Sequence, residues 1–113
     1  MDTITKNIYN DIIELSSPDL QKKLWLNDNN DTGLISSYSE VMNRLFDDNH
    51  FGSFITDVAP KVGLSIAAIN KLKELKCLLD EYKEKNSDAD IIIDPEWSKV
   101  VVKAKEVLTE WKA

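Results

Sequence analysis

Asp94-Pro95 stands directly ahead of the most regular apolar stripe in the chain: Trp97, Val100, Val101, Ala104, Val107, Leu108 and Trp111. Steps of three and four residues put these side chains on one side of a helix, Pro95 has the backbone angle suited to a first helical position, and Asp94 offers an N-cap oxygen. The pattern predicts a helix over 95–111, with Lys99, Lys103, Lys105 and Lys112 on its polar side. So wide a stripe needs other amphipathic elements to cover it.

The remaining sequence offers them. Ile4, Ile8, Ile12 and Leu15 predict a helix that begins near Asp2 or Thr3 and ends at Ser16-Ser17-Pro18. Ser17 as N-cap, Pro18 as first helical residue and Asp19 in the first turn predict a second helix to about Asn27, with Leu20 and Leu24 inward and Trp25 at the margin. Residues 27–33 are rich in Asn and Asp and read as a loop. Ser37 and Glu40, in capping-box spacing, open a third helix over roughly 38 to 48. Residues 49–64 read as a short helical turn between loops. Ser65 begins a long pattern of Ile66, Ile69, Leu72, Leu75, Leu79 and Tyr82, and Ile91-Ile92-Ile93 reads as a single extended strand laid on the helices. The expected architecture is an all-α, single-domain, compact bundle of about five amphipathic helices with short connections.

Composition removes several function classes. The 113 residues suffice for one core, and Cys77 is the sole cysteine, so an intramolecular disulfide and a multi-cysteine zinc site are both ruled out and a reducing cytoplasmic setting is expected. No apolar run is long enough to span a membrane, and the N-terminal residues lack the pattern of a secretion signal. The net charge of -6 lies wholly in residues 1–58, where ten acids face Lys6, Lys22, Lys23 and Arg44. Such a half repels nucleic acid and attracts a basic protein surface, although solvation alone also accounts for acidity.

Motifs for chemistry are sparse. Residues 28–35 imitate the start of a calcium loop, but the twelfth position, where a bidentate carboxylate belongs, is Ser39. His50 is the only histidine and has neither a nucleophile elbow nor an oxyanion turn around it. No phosphate-cradling glycine loop is present. No cofactor, metal or catalytic residue is therefore expected, and the protein reads as a binding module. Asp47 and Asp48 stand at the unfavourable end of the predicted third helix, a placement that a basic partner would compensate, or that capping of the next turn by Asp48 and Asn49 would explain. The candidate partner-binding residues are Asp28, Asp31, Asp47, Asp48 and Asp57, with Trp25 as apolar anchor.

Four landmarks in order, Leu20-Gln21-Lys22-Lys23-Leu24-Trp25, Leu45-Phe46-Asp47-Asp48, the long helix, and Asp94-Pro95-Glu96-Trp97, resemble a family of small bacterial proteins. That family includes proteins similar to the immunity proteins of contact-dependent growth inhibition and related polymorphic toxin systems. The resemblance runs from about residue 19 to the end. It implies a cytoplasmic antidote that binds a cognate toxin domain, often a basic nuclease such as a ribonuclease. It assigns no functional residues, and the Asn-rich loop 27–33 departs from it. The alternative is a generic bacterial interaction domain without toxin-neutralising activity.

Overall fold

Side-chain caps set the helix boundaries in the computed structural model, which describes residues 2–111. Asp2 accepts from the Thr5 N–H at 2.8 Å and opens α1, Thr3–Ser16. Ser17 accepts from Leu20 at 3.1 Å and opens α2, Pro18–Leu26, which Asn27 ends in the left-handed conformation. Ser37 opens α3, Tyr38–Met42, whose path continues as a π-helical turn over Asn43–Asp48. A second such pair follows: α4, Phe51–Ser53, leading into π-helical Phe54–Val58. Ser65 caps α5, Ile66–Glu81; Ser87 caps α6, Asp88–Ile92; Asp94 caps α7, Pro95–Glu110. Lys112, placed by the sequence on the polar side of the last helix, lies outside the described residues.

The all-α class holds, and no strand occurs among the described residues, but these contain seven helices where the sequence suggests about five. One extra helix is α6. The run Ser87-Asp88-Ala89-Asp90 is a helix start, with an N-cap oxygen and two acids at the positive end, and it overrides the strand preference of the isoleucines. Ile91 is buried and Ile93 exposed. In a strand these two would share a face; the turn of a helix sends them to opposite sides. The other is α4, at the short helical turn expected within residues 49–64; Phe51 in it, Phe54 and Ile55 in the π turn that follows and Ala59 just beyond are all buried, so this segment forms part of the core and not merely a connection.

Helix α7 packs against both α1 and α5, and α2 packs on α6. The first two contacts bury Ile8, Ile12, Leu15, Leu72, Leu75, Val100, Ala104 and Val107 together. Two residues counted in the apolar stripes, Ile4 and Ile66, are exposed in the first turns of their helices, where Thr5 and Ala68 face inward instead. Across the α5–α7 seam, Lys103 reaches Glu74 at 2.7 Å and Lys71 reaches Glu106 at 2.9 Å. Lys71, Lys76, Lys99 and Lys103 of the second half are thus engaged by its own acids. No helix among the described residues is long and apolar enough to cross a membrane.

Candidate partner-binding face

Loop 27–37 is held by its own side chains. Asn30 donates to Asn27 Oδ1 at 3.1 Å and to the Leu34 carbonyl, while its Oδ1 accepts from the Thr32 N–H at 3.1 Å and hydroxyl at 2.6 Å. Thr32 Oγ1 in turn accepts from Leu34 N–H at 3.0 Å, and the Ser36 N–H donates to the Leu24 carbonyl at 2.9 Å. Gly33 supplies the positive φ of 76° that the turn needs. The oxygens of Asn30 and Thr32, which a calcium loop would turn toward the ion, are spent inside this network. The loop so arranged presents Leu34 and Ile35 to solvent, 65% and 73% exposed.

Behind this loop lies a cleft of about 390 Å³, lined by α1 residues Asn7, Asn10, Asp11 and Glu14, by Leu34–Ser36, and by Arg44, Asp48 and Asn49 from the π turn. Asn49 sets the end of that turn. Its backbone N–H and its side-chain amide both donate to the Arg44 carbonyl, at 3.0 and 2.8 Å. Asn49 therefore caps the preceding turn, and the following helix α4 has no side-chain cap.

Arg44 is the hub of the cleft. Its guanidinium donates to Asp11 Oδ1 at 2.9 Å, to Glu14 Oε1 at 2.9 Å and to Ser36 Oγ at 3.3 Å, and stands 3.9 Å from Glu40. Glu14 is buried, and its second oxygen accepts from the Trp25 indole at 2.8 Å. Asp11 is less well served. Its side chain is 6% exposed, and Oδ2 has no hydrogen-bond partner among the described residues. Burial pushes its carboxyl above the ordinary value, with Arg44 pulling the other way and Glu14 and Asp48 adding to the rise.

The sequence-derived candidates separate here. Asp48 joins the cleft; Asp28 and Asp31 stand on the exposed loop, with Asp31 3.3 Å from Lys23. Asp47 and Asp57 are exposed and take no part in lining the cleft. Trp25 is corrected from surface anchor to core residue: it is 8% exposed, packs against Tyr38 and Trp97, and its N–H is bound to Glu14. The exposed apolar side chains beside the cleft are Leu34 and Ile35. Asp11 and Glu14 escaped sequence reasoning because, on an amphipathic pattern, they read as ordinary solvated positions beside the stripe.

The fold and this face define an all-helical protein whose acidic half carries a polar cleft with an apolar lip. Comparison with family models, curated proteins and solved structures finds no match.

Proposed function

We propose that the protein is a cytoplasmic immunity-type inhibitor that binds and neutralises a basic bacterial toxin domain, a nuclease being the class whose phosphate-binding surface best suits an acidic partner. The observation that carries this reading is the placement of two exposed aliphatic side chains, Leu34 and Ile35, on an internally hydrogen-bonded loop that also bears Asp28 and Asp31 and borders the cleft of Asp11, Glu14 and Asp48. Apolar contact in an acidic surround is the expected make-up of a surface that recognises a basic protein: charge steers the encounter, and the aliphatic pair excludes water once contact is made. The acids would occupy the positions that substrate phosphates take on the toxin. No cofactor is needed for such a role.

The direct test is expression in cells of the protein encoded by the adjacent gene, alone and together with this chain. The proposal expects growth arrest that this chain relieves. Harmlessness of the neighbour, or arrest unrelieved by this chain, would remove the toxin-inhibitor reading and leave a helical interaction domain.

A further inference from the structure

Resting on that reading, we infer that the cleft between α1, Leu34–Ser36 and the π turn is the seat of a single arginine side chain delivered by the partner. Three carboxylates, Asp11, Glu14 and Asp48, line it against one resident cation, Arg44, so a second cation is needed to approach balance. The resident guanidinium does not satisfy the site: it engages Asp11 through Oδ1 and leaves Oδ2 buried and without a hydrogen bond among the described residues. A buried acceptor left in that state is costly, and a donor admitted as the Asp11 side chain turns toward the cleft removes the cost.

Arginine fits better than lysine. Its planar fork can donate to carboxylates on two elements at once, here Asp11 on α1 and Asp48 on the turn, and its weaker hydration makes entry into a half-enclosed site less costly. The lip argues for a side chain on a protein and against a free small cation, because Leu34 and Ile35 give the aliphatic stem and the flanking residues an apolar surface to lie on.

The test is titration of the isotopically labelled full chain with Nα-acetyl-arginine methylamide, and in parallel with its uncharged counterpart Nα-acetyl-citrulline methylamide, followed by amide chemical shifts. Saturable shifts are expected at Asn7, Asn10, Asp11, Ser36 and Asp48 with the arginine probe and not with citrulline. Asp48→Asn, at an exposed position outside the Arg44 hydrogen bonds, is expected to weaken the arginine probe about tenfold, the scale of one charge-assisted hydrogen bond. Equal shifts from the two probes, shifts that spread over Asp28 and Asp57 without saturating, or full affinity in Asp48→Asn would overturn the inference. Failure here is distinguishable from failure of the inhibitor reading. A toxin complex that survives Asp48→Asn but is lost on Asp28→Lys with Asp31→Lys keeps the reading and removes the arginine seat.

Discussion

Trp97 donates its indole N–H to the side-chain oxygen of Gln21 at 3.0 Å, deep in the core and across 76 residues of sequence. The amide end of Gln21 donates at 3.0 Å to the carbonyls of both Glu14 and Leu15 in the last turn of α1, where the Glu14 carbonyl also takes a long 3.4 Å bond from the Ser17 N–H. One fully buried side chain thus serves three helices. Gln21→Leu keeps the volume and removes every partner, stranding an indole N–H and weakening the end of α1. It is expected to cost about 2–4 kcal/mol, read as a lower urea midpoint at unchanged slope.

Arg44 presents a different balance. Arg44→Met leaves Asp11 and Glu14 facing one another without a cation. Removal of one member of a fully buried pair costs about 3–5 kcal/mol, and the 34% exposure of the Arg44 side chain lowers the expectation to about 2–3 kcal/mol. Arg44→Lys restores the charge but cannot reach Asp11, Glu14 and Ser36 together, so an intermediate midpoint is expected.

The pH response of Asp11 runs against the usual carboxylate direction. Burial raises its folded-state pKa above 3.8, so its contribution is fully present below that value and is lost as pH rises through the folded pKa. The stability of the wild type relative to Asp11→Asn is expected to fall as pH rises above 3.8 and through the folded-state pKa. Chemical denaturation of both proteins across that range checks the sign. A difference that grows in favour of the wild type toward neutral pH would mean that Arg44 outweighs burial.

Asp94 responds in the opposite sense. The Tyr82 hydroxyl donates to it at 2.7 Å and the Glu96 N–H at 3.1 Å, which holds its carboxyl below 3.8. That stability is present above 3.8 and lost as pH falls through the lower, folded-state value. Asp94→Asn keeps a capping oxygen, so the wild-type advantage over it is expected at neutral pH and should shrink in acid.

The helix starts were legible because each has a local chemical cause: Ser17, Ser37, Ser65 and Asp94 all accept the N–H bonds that their sequence positions imply. Local signals also misled where two competed, as in Ser87 against the isoleucine triplet. The candidate site was only half legible. Asp48, Asp28 and Asp31 follow from charge, whereas the cleft exists because Arg44 meets Asp11 and Glu14 across 33 and 30 residues of chain, which no local pattern encodes. Trp25 went astray for the same reason, since its hydrogen bond to Glu14 is a tertiary event.

Leu34 and Ile35 make a clean separation between folding and binding. Replacing both with Asp removes no core contact, so the unfolding free energy read from urea denaturation should stay within about 0.5 kcal/mol of the wild type. Partner affinity should fall at least tenfold, as expected for loss of apolar contacts at the centre of an interface.

Whether the acidic face holds a basic toxin partner is read most directly by titration calorimetry of this chain with the protein encoded beside it, at low and at physiological salt. A one-to-one complex is expected that weakens as salt rises and weakens further in Asp28→Lys with Asp31→Lys. Absence of binding at both salt concentrations, or a complex indifferent to salt and to those charge reversals, would contradict it.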